Sequence, residues 1–197
     1  MKIVSSEASG EIAKIKGSRF LGYIAPASSE DVAMAYVEKI REQHPSATHW
    51  VFAWRIDPER TRSTDDGEPS GTAGRPLLDR LVGNDLEQTV LVVVRYYGGT
   101  KLGTGGLVRA YGAAASFVID RAVVEEIERR STVVVEVSAR LEGPTRGVGV
   151  AHGAEVVDAS WGSKVVLQFL IGVEEAAAFA EAVQERAAGQ AKIEVIP

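Results

Sequence analysis

The stretch DDGEPSGTAGRPLLDRLVGNDLEQTVLVVVRYYGGTKLGTGGLVRAYG, residues 65–112, organises the chain. It holds two glycine-rich loops, each feeding a helix, with one strand between them. Thr89 to Tyr97 is nearly all apolar, the mark of a strand buried on both faces. The second loop, Gly98 to Gly106, has five glycines, two threonines and one lysine in nine positions. Gly98, Gly99, Gly103, Gly105 and Gly106 let the backbone turn tightly and bring bare N–H groups near a partner. The helix that follows adds free first-turn donors and the positive end of its dipole, which suits the loop to an anion. From Arg95 to Gly112 there are three cations, Arg95, Lys101 and Arg109, and no carboxylate. The plainer alternative is a strand-to-helix crossover that needs glycine for geometry alone. No nucleotide motif is met. Thr104 stands where a Walker A loop needs its lysine, and Val108 where a dinucleotide fingerprint needs its third glycine.

Working outward, Thr72 is the expected N-cap of a helix running to about Leu81, with Pro76 in its first turn and Gly83-Asn84 ending it. Residues 57–71 read as loop, being dense in Asp, Pro, Gly and Ser. Thr48 to Ile56 is β-branched and aromatic, hence a strand. Ser28 or Ser29 opens a helix with Glu30 and Asp31 in its first turn. Residues 11–25, broken at Gly17-Ser18, read as a hairpin or two short strands. Downstream of the glycine loop a long helix is expected from about Gly105 to Glu128, its EEIERR end solvated. After Arg130 the pattern is strand 131–139, a helix led by Pro144, strands 154–160 and 164–172, helix 174–188 and strand 191–196. That order, βαββαβ, is the split-βαβ or ferredoxin-like pattern. Two domains are therefore expected, 1–130 and 131–197, in an α/β (α+β) chain.

Composition narrows the function classes. The chain has 197 residues, 45% apolar and 25% charged, with no cysteine, so thiol catalysis and thiolate metal sites are excluded. The net charge of −5 gives no global attraction to nucleic acid or anionic membrane. The acidity sits mainly beyond residue 130, where five Lys/Arg face nine Asp/Glu. The N-terminal residues MKIVSSEASGEIAK lack the apolar stretch of a signal peptide, and no run approaches a membrane span. A cytoplasmic location is expected.

The first loop carries Asp65, Asp66, Gly67 and Glu68. These carboxylates offer oxygen ligands for a hard cation such as Mg²⁺, although Asp-Gly and Glu-Pro are also ordinary turn chemistry. His44, His49 and His152 form no metal-ligand pair, and His49 is the one that joins the candidate loop site. Ser70 has no evident base and lies in no nucleophile elbow. No catalytic set can be assembled. Tyr96, Tyr97 and Tyr111 surround the loop and would stack on bases where exposed.

The blocks DDGEPSGTAGRP (65–76) and VVRYYGGTKLGTGGLVRAYGAAA (93–115) closely resemble the IMPACT family in its bacterial, YigZ-like branch. His49 and Ala53 suit the same pattern. Val51 stands where many members carry a cysteine, so no thiol role is carried over. The resemblance implies an N-terminal domain of the ribosomal-protein-S5 domain-2-like type and a ferredoxin-like C-terminal domain. The pair is similar to domains IV and V of elongation factor G, which implies contact with RNA or the ribosome. It implies no established reaction. Eukaryotic relatives regulate translation through a protein partner by a further domain not found in this sequence, so that route is not expected here.

The leading expectation is a non-catalytic protein that binds RNA, a ribosome or a translation-factor surface. Arg75, Arg95, Lys101 and Arg109 would contact phosphate, and Gly98, Gly99, Gly103, Thr104, Gly105 and Gly106 would shape the loop. Two alternatives stand beside it. One is a Mg²⁺-dependent enzyme acting on a phosphorylated small molecule, with Asp65, Asp66 and Glu68 opposite the glycine loop. The other is a protein-interaction module that uses DDGEPSGTAG as its recognition loop.

Overall fold

The computed structural model describes residues 1–196. The chain is mixed α and β and divides into two compact units, Met1–Ile127 and Glu128 onward. The first unit contains, in order, β1 (Lys2–Val4), β2 (Ala8–Glu11), β3 (Arg19–Pro26), α1 (Glu30–Gln43), β4 (His49–Arg55), β5 (Thr61–Thr64), α2 (Gly74–Gly83), β6 (Leu86–Glu87), β7 (Thr89–Tyr96), α3 (Thr104–Ile119) and β8 (Val124–Glu126). The second contains β9 (Arg130–Val137), a 3-10 turn at Ala139–Leu141, α4 (Glu142–Ala151), β10 (Glu155–Trp161), β11 (Val165–Gly172), α5 (Val173–Arg186) and β12 (Lys192–Ile196).

In the first unit the main sheet has five strands in the order β2-β3-β7-β4-β5, each pair antiparallel. The central strand β7 feeds two cores by simple alternation. Leu91 and Val93 join the cluster under α2 and α3, while Val90, Val92 and Val94 join the cluster under α1. The neighbouring β4 does the same, with Val51 and Ala53 on the first face and Phe52 and Trp54 on the second. The strand is thus buried on both faces within an antiparallel sheet, because helices cover it on either side. The same parity sends His49 and Arg95 to the α2/α3 face. They are direct cross-strand partners, and Phe20 of β3 is the partner of Arg95 on its other side. A single row, Phe20–Arg95–His49, therefore crosses one end of the sheet.

Three expectations are corrected. The long helix ends at Ile119 rather than near Glu128, and Val124–Glu126 becomes a strand. The cause lies at the far end of the chain: β8 pairs antiparallel with β1, which also pairs parallel with β6. Residues 57–71 are not all loop, because β5 pairs with the second half of β4. Thr72 does not cap α2. Its hydroxyl donates to the Pro69 carbonyl, the N-cap position is Ala73, and the capping carboxylate comes from Asp65.

In the second unit the four strands are ordered β10-β11-β9-β12, all antiparallel. Strand β9 alternates in burial along its length, placing Val133, Val135 and Val137 against Phe179 and Val183 of α5. The elements run β-α-β-β-α-β. No helix among the described residues is long and apolar enough to cross a membrane.

Candidate phosphate site

The first glycine-rich loop is a tight turn locked by its own carboxylates. Asp66 and Gly67 both have positive φ, 45° and 85°, and the Glu68 N–H closes the turn on the Asp65 carbonyl. Asp65 points into the start of α2. Its Oδ1 accepts from the N–H groups of Ala73 and Gly74, and its Oδ2 from that of Gly71. Burial pushes the Asp65 carboxyl up, but the backbone donors of Gly71, Gly74 and Ala73 outweigh it and hold the group below its ordinary 3.8. Asp66 Oδ2 accepts from the Trp50 N–H at 2.6 Å, and its Oδ1 lies 3.5 Å from Arg41.

Glu68 turns the other way, into the α2/α3 face. Its side chain is only 5% exposed and meets an equally buried Arg95. The same oxygen, Oε1, accepts from the Tyr111 hydroxyl at 2.7 Å and lies 3.7 Å from His49 Nε2. His49 Nδ1 lies 2.7 Å from the Asp66 carbonyl oxygen. A carbonyl only accepts, so Nδ1 carries the proton and the ring is fixed in orientation. Tyr111 is fully buried, and burial followed by the bond to Glu68 raises its hydroxyl well above the ordinary value. The Arg95 guanidinium lies over the rings of Phe20 and Tyr97, 5.4 and 5.3 Å from their centres, and also donates to Ser18 Oγ.

The three loop carboxylates are therefore aimed at three separate partners. No group of three or more His, Cys, Asp or Glu among the described residues is placed to hold a metal ion. Asp65, Asp66 and Glu68 do not fit the Mg²⁺ arrangement considered from the sequence.

The second loop remains open. Residues 97–105 are exposed apart from Leu102. Gly98 donates its N–H to Ser18 Oγ and packs so closely on the β2–β3 turn that a Cβ would lie 2.0 Å from the Gly17 carbonyl carbon. Gly99 and Gly103 have φ of 84° and 71°, with nothing near the position of a Cβ. Gly103 is the N-cap of α3, no side chain caps it, and the first turn holds no acid. The donors of that turn are thus left for an external acceptor. Gly105 has room for a methyl group, with Arg109 at 3.7 Å as its nearest neighbour.

The two loops share one cleft of about 490 Å³. Glu68 and Pro69 come from the first loop, Lys101 to Thr104 from the second, with His49, Arg95, Tyr97 and Leu107 completing it. Lys101 is exposed and has no ion-pair partner among the described residues. Three cations expected to contact phosphate lie outside the cleft or face inward. Arg75 is on the exposed side of α2, paired with Asp79 at 2.7 Å, and does not line the cleft. Arg95 lines it, but its charge is taken up by Glu68. Arg109 is exposed on α3, beside Gly105 rather than in the cleft. Reading the loops separately missed Tyr111 as the link between Glu68 and α3, since its apolar neighbours suggest only packing.

The Impact N-terminal domain model matches residues 16–119, more than half of the chain. This chain belongs to the IMPACT family. It is 40% identical over 135 residues to the IMPACT family member YigZ of Escherichia coli K12, a match covering 66% of this chain and 64% of that protein. It is 45% identical over 139 residues to an IMPACT family member of Thermus thermophilus, covering 71% and 72% of the two chains. A solved structure described as a hypothetical protein superposes with a TM-score of 0.68 at 28% identity, covering 99% of this chain and 95% of that one. Within the IMPACT match lie both glycine-rich loops, His49, Arg95 and the start of α3, so the whole cleft falls inside the family domain.

Proposed function

We propose that this IMPACT family member binds RNA, free or on the ribosome, by holding backbone phosphate at the start of α3, and that it does so in the cytoplasm without chemistry of its own. The observation that carries the reading is the uncapped, acid-free first turn of α3 opening beside Lys101 in a shared cleft. Free N–H groups and a helix dipole attract an anion, and an unpaired ammonium adds a charge that solvent only partly screens. Tyr97, 46% exposed, offers a ring for base stacking, with Arg95 packed against it.

The architecture is in keeping with this. We assign the first unit to the S5 domain 2-like class and the second to the ferredoxin-like class, the pair akin to domains IV and V of elongation factor G. The strand order β10-β11-β9-β12 with both helices between strands supports the second assignment. The acidic balance of the chain confines any phosphate contact to a local patch, which is where Lys101 and Arg109 lie.

The test is a salt titration of binding to a labelled single-stranded RNA. Replacing Lys101 by Ala should weaken binding and reduce the slope of log K against log salt by about 0.7, the value for one phosphate contact on a single strand. Adding Arg109→Ala should flatten it further. Binding unchanged in both affinity and slope would remove the reading.

A further inference from the structure

We infer that the cleft selects ribose over deoxyribose, with Glu68 accepting a hydrogen bond from a 2′-hydroxyl while the start of α3 holds the adjoining phosphate. The inference rests on the phosphate reading above and extends it to the class of nucleic acid bound.

It starts from an oxygen without a partner. Both oxygens of Asp65 and both of Asp66 are engaged by the protein. Glu68 is different. Arg95, Tyr111 and His49 all converge on Oε1, and Oε2 accepts nothing among the described residues. The side chain is nonetheless 95% buried, since its exposure is 5%. In this unit the sealed polar side-chain atoms lacking a partner are Arg41 Nε, Trp50 Nε1, Trp54 Nε1 and Arg95 Nε. Glu68 Oε2 is not one of them, so it keeps some accessible surface, and we assign that surface to the cleft that the residue lines. A carboxylate oxygen that faces a cleft while the rest of its side chain is buried is an acceptor that a bound donor can take over from water.

The second element is its position relative to the anion site. Tyr111, which holds Glu68, lies seven residues after Thr104 on α3, roughly 10 Å along the axis. Helical side chains lean toward the N-terminus, so Glu68 sits nearer the phosphate donors than that. An occupant must therefore present a negative group at one end and a hydrogen-bond donor at the other. A phosphate anion is repelled by the carboxylate and must sit at the helix, while a hydroxyl is welcomed. The sugar-phosphate backbone of RNA has this pairing at every residue, and the 2′-hydroxyl is what DNA lacks. His49 supports the geometry from the wall, its ring held by the Asp66 carbonyl.

The experiment compares four probes of one sequence on the full chain: RNA, DNA, 2′-O-methyl RNA, and RNA competed by ribose 5-phosphate. RNA should bind about tenfold or more tightly than DNA, the range for a hydrogen bond to a charged acceptor. The 2′-O-methyl probe, which has lost the donor, should behave as DNA does. Competition by ribose 5-phosphate would place the same chemistry in a small sugar phosphate, and its absence would leave the polymer as the ligand; either result keeps the hydroxyl assignment. Glu68→Gln should close the gap between RNA and DNA, with the fold checked by circular dichroism. Because the ligand series uses unaltered protein, a misfolded variant does not spare the idea. Equal affinity for RNA, DNA and 2′-O-methyl RNA overturns it while leaving the phosphate reading in place. A gap that persists in folded Glu68→Gln overturns the role of Glu68. Failure to bind any probe overturns the inference and the phosphate reading together.

Discussion

At the scale of single residues, the glycines of the second loop divide by what surrounds them. Gly98 is required by geometry: a Cβ would fall 2.0 Å from the Gly17 carbonyl carbon and 2.2 Å from the Ser18 nitrogen. Gly98→Ala should cost about 3 kcal/mol or more by forcing two backbones apart, read from urea unfolding. Gly105 is not required by geometry, since a methyl group there meets only Arg109 at 3.7 Å. Gly105→Ala should leave stability unchanged or raise it by up to about 1 kcal/mol, the helix-propensity difference, while weakening RNA binding by covering the first-turn donors. Loss of stability without loss of binding would reverse that assignment. The buried pair is equally diagnostic. Glu68→Ala leaves Arg95 charged and unpaired at 4% exposure, and should lower unfolding free energy by about 3–5 kcal/mol. The glycines and charges of this loop were legible in the sequence. Which arginine faced solvent was not, because strand parity alone does not say which face a carboxylate from another loop will reach.

At the scale of elements, α2 depends on a residue eight positions before its own N-cap. Asp65 supplies both oxygens to the backbone donors at its start, so Asp65→Ala should destabilise the protein by about 1–2 kcal/mol. The pH dependence has a definite sign. A carboxyl held below 3.8 in the folded chain contributes stability that is fully present above that value. That stability is lost as pH falls from about 3.8 through the folded value. Wild type should therefore lose stability in this acid window relative to Asp65→Asn, measured by thermal unfolding across the range. Parallel curves would exclude the cap as their origin. Sequence alone pointed to Thr72, the nearest residue of the right type, because capping rules are local and this cap reaches across a turn. The misplaced end of α3 has the same root. Residues 120–128 carry enough charge to pass for a solvated helix end, and only pairing with β1 makes Val124–Glu126 a strand.

At the scale of the molecule, two units carry separate cores, one pair of clusters around the five-stranded sheet and one cluster under α4 and α5. A fragment of residues 1–127 should therefore unfold cooperatively when produced alone, followed by far-ultraviolet circular dichroism. Removing Met1–Val4 from it should broaden or lower the transition, because β1 joins β6 to β8 and Val4 is fully buried. A fragment that is molten from the start would show that the unit needs the rest of the chain. The amino-acid sequence by itself determined the family, most of the α and β elements, the both-faced burial of β7 and the glycine-rich character of the second loop, because periodicity and glycine spacing act over a few neighbouring residues. Only the tertiary structure decided that the two glycine-rich loops share a cleft, that Arg95 is held by Glu68, and that the contacts of Glu68 gather on one of its two oxygens. Those facts depend on register across strands and on contacts between residues dozens of positions apart, which no local pattern encodes.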